Sequence, residues 1–182
     1  WALDRRLPKE KPRPDERELL EDIAERTWAF FETFAGEGRG YIPPDNFQQE
    51  PEKRPAVNTS PTNIGMARAA AVSAAELGLI TADELEKRLS GTMDTVDKMQ
   101  KWHGHLYNWY RTDTLEVMRP RYVSTVDSGN FCACLITGSM ALKKYGREDT
   151  AARLERAARE TDFSALYDAE RKLFRIGYDG DA

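Results

Sequence analysis

The sequence predicts a mainly α fold in which helical hairpins pack one after another, with a short β-hairpin near the C-terminal end. Apolar residues recur every three or four positions in several segments, as they do on one face of a helix. Segments made almost wholly of small apolar residues alternate with amphipathic ones, and short connections alternate with long ones. Inner helices covered by outer helices give this pattern, in an α/α toroid or in an α-solenoid. Because no repeat of fixed period is visible, a standard solenoid is disfavoured.

The N-terminal residues differ in composition from the rest of the chain. Residues 1–14 contain three prolines and an excess of basic residues, and they predict an extended linker or arm before a domain over residues 15–182. Asp15 is the predicted N-cap of the first helix, which ends near Gly36. The predicted apolar face of this helix is formed by Leu19, Leu20, Ile23, Thr27, Trp28, Phe31 and Phe34.

The next two helices are predicted to form a hairpin. The second helix begins after Ser60, a capping residue followed by Pro61, and it runs to Gly78. Its residues are almost all small and apolar, so we expect it to be buried on every side. Thr81 and Glu84 form a capping box at the start of the third helix. One apolar stripe on that helix is formed by Leu85, Leu89, Thr92, Val96 and Met99.

A second hairpin and a pair of strands complete the prediction. The fourth helix starts near Val126 and ends at Tyr145, and a charged fifth helix follows over about residues 149–161. Residues 166–178 contain two apolar runs around a polar turn, which is typical of a β-hairpin.

Bulk properties exclude some classes of partner. The 182 residues are 40% hydrophobic and 32% charged, with a net charge of −4, so the chain predicts a globular domain rather than a nucleic-acid binder. No run of apolar residues approaches the ~18 to 20 of a membrane span, so we expect no direct membrane insertion. The chain begins at Trp1 and stops directly after an apolar run, and we therefore expect it to be part of a longer protein.

Rings and polar side chains concentrate in three segments of the long connections, residues 41–47, 102–110 and 122–130. In helical hairpins the long connections lie at one end, so we expect the three segments to converge on one face. Aromatic rings stack on the apolar C–H patches of a sugar, and Asp, Asn and His side chains pair with its hydroxyls. The same residues could also be loop aromatics that plug the end of the domain.

Several single residues have more than one interpretation. Asp127 could be a general base, a ligand for sugar hydroxyls, or a charge that complements the helix dipole, and Asn63 and Asn130 near helix starts are similarly ambiguous. Gly65 and Gly129 predict close approach of a neighbouring backbone. His103 and His105 have no carboxylate or cysteine close in sequence to complete a metal site, so neither a metal nor a cofactor is predicted.

Six segments in a fixed order carry a resemblance to a known family. They are residues 27–32, 41–48, 59–65, 104–110, 122–130 and 166–178. Together they resemble the glucoamylase-like middle domain of cyclic β-1,2-glucan synthases, and the likeness covers roughly residues 15–179. The family often carries a long insertion before the last segment, whereas here only residues 143–161 fill that gap.

The resemblance implies a fold, an activity and a location. It implies the N-terminal part of an (α/α)6 toroid, as a soluble domain at the cytoplasmic face of the bacterial inner membrane within a large multidomain protein. Such a toroid cleaves a linear β-1,2-glucan and transfers the chain onto itself, closing a ring. Transfer with retention needs two carboxyl groups flanking the bond. The resemblance places the catalytic glutamates after Tyr178, outside this chain, so no catalytic residue is assigned here.

The resemblance and the polar–aromatic segments together give a set of substrate-binding candidates. We expect the glucan to contact Asp45, Asn46, Asn63, His105, Tyr107, Asn108, Trp109, Asp127 and Asn130. The expected partners are β-1,2-glucan and the remaining domains of the parent enzyme. Two alternatives remain, an endo-β-1,2-glucanase on the same fold and a non-catalytic scaffold segment.

Overall fold

The structure is a computed structural model that describes residues 13–181, and these residues form five α-helices. The mainly α prediction is confirmed. The first twelve residues of the predicted arm lie outside the described residues. The helices are α1 (Pro14–Phe34), α2 (Pro61–Glu76), α3 (Ala82–Val96), α4 (Thr125–Lys144) and α5 (Glu148–Arg159).

Short strands occur in the connections and near the C-terminal end, and each pairs antiparallel with one other strand. They are β1 (Phe47–Gln48), β2 (Arg54–Pro55), β3 (Asn58–Thr59), β4 (Lys101–Trp102), β5 (His105–Leu106), β6 (Tyr110–Arg111), β7 (Tyr122–Ser124), β8 (Tyr167–Asp168), β9 (Leu173–Phe174) and β10 (Gly177–Asp179). The pair β8–β9 is the predicted hairpin. The sequence did not predict the pairing of β10 with β7, which ties the C-terminal segment to the start of α4.

Side-chain caps fix three of the helix starts. Ser60, Thr81 and Ser124 accept hydrogen bonds from backbone N–H groups three residues on, at 3.1, 3.2 and 3.1 Å. The predicted cap of α1 was wrong: the helix begins at Pro14, and Asp15 lies in its first turn. Proline fits the first helical position because its missing N–H would have no partner there.

Helices α2 and α4 lie side by side and run in the same direction. Thr62 at the start of α2 bonds to Asp127 at the start of α4, and Glu76 at the end of α2 pairs with Lys144 at the end of α4. Gly65 allows the close approach, because a Cβ there would lie 3.3 Å from the Cα of Phe131. Gly129 has no such neighbour within 4 Å, so its predicted role in packing was wrong.

Helices α3 and α5 form the outer side of the two hairpins. Arg153 of α5 pairs with Asp94 of α3 and with Asp97, directly after α3, at 2.8 and 2.7 Å. The short connections, residues 77–81 and 145–147, join each inner helix to its outer partner, while the longer connections precede α2 and α4. The predicted hairpin arrangement is therefore confirmed, and both inner helices begin at the end where the long connections lie.

Burial is less complete than the sequence predicts. Among the described residues, the inner helices expose Met66 of α2 and Met140 of α4 at 53% and 67%, so neither helix is covered on every side. In α1 the predicted apolar face is buried at Trp28, whereas Leu19, Leu20 and Ile23 in the N-terminal half are exposed. Within residues 13–181, no helix combines the length and the apolar character that crossing a membrane requires.

Candidate functional site

The adjacent starts of α2 and α4 bring polar side chains from two helices into contact. Thr62 Oγ1 donates a hydrogen bond to Asp127 Oδ1 at 2.6 Å, and Asn130 Nδ2 donates to Thr62 Oγ1 at 3.1 Å. Asp127 lies in the first turn of α4, where its negative charge interacts favourably with the helix dipole. Asp127 therefore complements the dipole of α4, which was one of its predicted roles, and it also accepts a hydrogen bond from α2.

The second oxygen of Asp127 binds the long connection that precedes α4. In the amide orientation that suits its neighbours, Asn108 Nδ2 donates to Asp127 Oδ2 at 2.9 Å, and Asn108 Oδ1 accepts from Trp109 Nε1 at 3.1 Å. A carboxylate, an amide and an indole thus form one chain of hydrogen bonds. These hydrogen bonds fix the orientation of the half-buried Trp109 ring.

The connection before α2 contributes the third part of the site. Asn63 Nδ2 and Asn46 Nδ2 donate to the two carboxylate oxygens of Asp45 at 2.8 and 3.0 Å. Asn63 is adjacent in sequence to Thr62, so this group adjoins the one around Asp127. The exposed Asp45 and Asn46 form the solvent side of the arrangement.

We call this set of side chains the α2–α4 polar cluster. It consists of Asp45, Asn46, Thr62, Asn63, Asn108, Trp109, Asp127 and Asn130. Seven of the nine predicted site residues lie in it. Thr62 was not predicted, and its only signal was a second hydroxyl in the first turn after the Ser60 cap.

The other two predicted residues, His105 and Tyr107, lie in the interior. His105 is 1% exposed, its Nε2 donates to the Asp162 carbonyl at 3.0 Å, and its Nδ1 accepts from Ser128 at 2.8 Å. Burial lowers the pKa of His105, so the ring is neutral at pH 7. Tyr107 is also buried, and its backbone N–H donates to the Tyr110 hydroxyl at 2.8 Å. Neither ring is therefore open to a ligand from solution.

The chemistry of the cluster suits a neutral polyhydroxylated ligand. Its amides and carboxylates offer both donors and acceptors, and its indole offers an apolar face. Both oxygens of Asp127 already accept hydrogen bonds, one from α2 and one from the connection before α4. The carboxylate therefore joins these two segments and is not a free base. Among residues 13–181, no group of three or more His, Cys, Asp or Glu side chains is arranged to hold a metal ion.

Sequence comparisons assign a family and find a similar curated protein. A family model described as protein of unknown function (DUF3131) matches residues 22–134. The cyclic β-(1,2)-glucan synthase NdvB of Rhizobium meliloti (strain 1021) is 46% identical over 134 residues, which is 74% of this chain. The chain spans 5% of the length of that synthase.

Structural comparisons agree on the architecture. An endo-β-1,2-glucanase from Chitinophaga pinensis, solved with sophorotriose and glucose, superposes with a TM-score of 0.79 over 91% of this chain and 41% of its own, at 14% identity. A β-1,2-glucanase from Parabacteroides distasonis gives a TM-score of 0.75 over 93% of this chain and 24% of its own, at 16% identity. At such identities the likeness establishes the fold alone, a part of a glucoamylase-like helical toroid.

Proposed function

Because the chain belongs to the family described as protein of unknown function (DUF3131), we propose for it a function that rests on its own polar cluster and its relatives. The chain is part of a carbohydrate-active domain, and the α2–α4 polar cluster binds β-1,2-glucan. The observation that carries the proposal is the convergence of Asp45, Trp109 and Asp127 at the starts of two parallel helices. The 46% identity to a cyclic β-(1,2)-glucan synthase supports the choice of substrate.

Each residue of the cluster has a distinct part in this proposal. The Trp109 ring stacks on the face of a glucose unit, where pyranose C–H groups are apolar. Asp45, Asn46, Asn63 and Asn130 pair with glucose hydroxyls. Asp127, Asn108 and Thr62 hold these groups in position. His105 and Tyr107 support the connection from inside.

The proposed reaction is ring closure by retaining transglycosylation in the longer protein. One carboxyl group protonates the leaving oxygen, which departs with the cleaved-off glucan segment, while a second carboxylate attacks the sugar carbon and forms a glycosyl-enzyme ester. A hydroxyl of the glucan held in that ester then attacks the same carbon, gives its proton to the first carboxylate and releases the second. We place both carboxyl groups outside this chain, so that the cluster acts by holding the glucan. The partners are then β-1,2-glucan and the other domains of the protein, at the cytoplasmic face of the inner membrane.

Hydrolysis is a second candidate reaction, favoured by the fold shared with two enzymes whose names state β-1,2-glucanase activity. In that case water replaces the glucan hydroxyl as the acceptor. Analysis of the products formed from linear β-1,2-glucan by the longer protein separates the two reactions. Cyclic products, released together with the linear leaving segments, support transglycosylation, and exclusively linear oligosaccharides support hydrolysis.

Binding by this chain is tested with linear β-1,2-glucan in a calorimetric titration. The Trp109→Ala change should weaken glucan binding about tenfold, because it removes the ring that stacks on a glucose unit. Trp102→Ala is the matched control, since Trp102 stacks on Tyr178 outside the cluster with centroids 4.2 Å apart. Equal affinity of the Trp109 variant and the unmodified protein would contradict the proposal and favour a scaffold role.

A further inference from the structure

Arg68 is a buried charge in the middle of α2. Its side chain is 1% exposed, its Nη2 donates to Met93 Sδ at 3.0 Å, and its guanidinium carbon lies 4.9 Å from the centre of the Phe131 ring. Within the part of the chain that is described, Nε and Nη1 have no hydrogen-bond partner. Two donors of a buried cation are therefore left without acceptors.

Such an arrangement is costly unless something compensates it. A buried charge without a counter-charge destabilises a protein strongly, and unpaired donors add to the cost. Burial lowers the pKa of Arg68 to about 9, so the guanidinium still carries its charge at pH 7. The carboxylate of Asp97, on the neighbouring α3, already binds Arg153 at 2.7 Å.

A small cavity adjoins this charge between α1, α2 and α3. Its volume is about 10 Å³, and its lining includes Trp28, Tyr41, Arg68, Arg88, Leu89 and Thr92. The Trp28 indole N–H is buried and has no partner among residues 13–181. A space of this size admits one water molecule or one monatomic ion.

The electrostatic balance around the cavity is positive. Arg88 lies with its guanidinium carbon 4.8 Å from the Trp28 ring and donates to Glu84 at 2.7 Å, so its charge is already compensated. Arg68 has no comparable partner in the described chain. The lining of the cavity thus includes two residues, Arg68 and Trp28, that together carry one uncompensated positive charge and three buried nitrogen atoms without acceptors among the described residues.

We propose that this cavity binds one small monovalent anion, of the halide class, held by the Arg68 guanidinium and the Trp28 indole N–H. A cation is excluded by the charge of Arg68. A water molecule would supply hydrogen bonds but no counter-charge. A sulfate ion is larger than a halide and carries a second negative charge that Arg68 alone would leave uncompensated.

The site is separate from the α2–α4 polar cluster and independent of the proposed function. Arg68 lies more than one helical turn beyond Thr62, among side chains of α1, α3 and α4 rather than at the helix starts. An anion here would join α1 to α2 and α3, and so stabilise the fold.

Thermal unfolding at constant ionic strength tests the proposal. Sodium chloride should raise the unfolding midpoint by ~3 °C relative to sodium gluconate, whereas sodium sulfate should show no such saturable increase. Arg68→Met should abolish the chloride effect and still fold, because a buried charge can be replaced by an apolar side chain of similar volume. Arg26→Met, at an exposed position of α1, should retain the effect. An equal chloride effect in the Arg68 variant would overturn the proposal.

A crystal grown in sodium bromide gives an outcome that does not depend on any variant. The anomalous signal should show one bromide within hydrogen-bond distance of Trp28 Nε1 and the Arg68 guanidinium. Electron density of a water molecule without anomalous signal, or an empty cavity, would overturn the proposal even if the Arg68 variant failed to fold.

Discussion

Asp127 links three parts of the chain through its two carboxylate oxygens. Thr62 of α2 donates to one oxygen, and Asn108 of the preceding connection donates to the other. Its own backbone N–H is held by Ser124 at 3.1 Å. The residue therefore determines where the Trp109 ring stands, and its contribution to glucan binding is expected to be positional.

The substitution Asp127→Asn tests this position. An amide nitrogen would face the Asn108 amide or the Thr62 hydroxyl, so one hydrogen bond of the chain is lost. We expect the free energy of unfolding to fall by about 1–2 kcal/mol in urea titrations, because a partly buried polar group loses its partner. Asp113→Asn, in an exposed loop, should leave the free energy of unfolding nearly unchanged. Equal effects of the two variants would mean that Asp127 has no bracing role.

His105 predicts how stability depends on pH. Burial lowers its pKa in the folded state below the unfolded value of ~6.5, so the unfolded chain binds the proton more readily. This contribution to stability is present above pH ~6.5 and is lost as the pH falls through the lower folded pKa.

Urea titrations between pH 7.5 and pH 5 measure that contribution. His105→Gln should lose less stability over this range than the unmodified protein, whereas His103→Gln, at an exposed position, should follow the unmodified protein. A slope that is the same for all three proteins would contradict the assignment of a neutral, buried His105.

At the level of elements, the sequence predicts helices and their starts better than it predicts what covers them. The predicted caps Ser60 and Thr81 do cap their helices, and Ser124, which was not predicted as a cap, caps α4. The periodicity of α1 gives a continuous apolar face, but periodicity does not say whether a partner exists. Leu19 and Leu20 belong to this apolar face and are nevertheless exposed.

In the candidate site, too, the sequence indicates which segments come together but not which side chains are buried. The enrichment of rings and amides in the long connections indicates Asp45, Asn108 and Trp109, and all three lie in the α2–α4 polar cluster because helical hairpins gather such connections at one end. His105 and Asn108 lie three residues apart in an irregular segment, and no period distinguishes an inward from an outward side chain there. The burial of His105 depends on the pairing of β4 with β5 and on its long-range hydrogen bond to the Asp162 carbonyl.

Two helical glycines provide a matched test of packing between elements. A Cβ at Gly91 of α3 would lie 2.3 Å from the Tyr41 ring, and this ring has limited freedom to move because Tyr41 is buried. Gly91→Ala should lower the free energy of unfolding by about 1–3 kcal/mol through overpacking. Gly129→Ala in α4 meets nothing within 4 Å and should raise it by up to ~1 kcal/mol through helix propensity. Stabilisation by both changes would contradict the α3–Tyr41 contact.

At the scale of the molecule, two parallel inner helices and two outer helices form the core, and α1 contacts it mainly through its C-terminal half. The stacked pair Phe34 and Phe47, with ring centroids 5.1 Å apart, and the buried Trp28 belong to this half. The N-terminal half, with Ile23 exposed at 49%, has few apolar contacts to protect its backbone.

Native-state hydrogen exchange tests this uneven stability. Backbone amides of residues 18–24 in α1 should exchange markedly faster than those of α2 and α4, because local opening of a poorly packed helix end exposes little apolar surface. The amides of α5 are the internal comparison, since α5 is anchored by the buried Ala151 and Leu154. Uniform protection along α1 would show that its N-terminal half is packed in solution.

A crystal structure with a linear β-1,2-gluco-oligosaccharide tests whether the starts of α2 and α4 form one glucan-binding surface. A glucose ring should lie within about 4 Å of the Trp109 indole, with at least one of its hydroxyls bonded to Asp45, Asn46 or Asn130. An oligosaccharide bound elsewhere on the molecule, with the α2–α4 polar cluster free of sugar, would contradict this expectation.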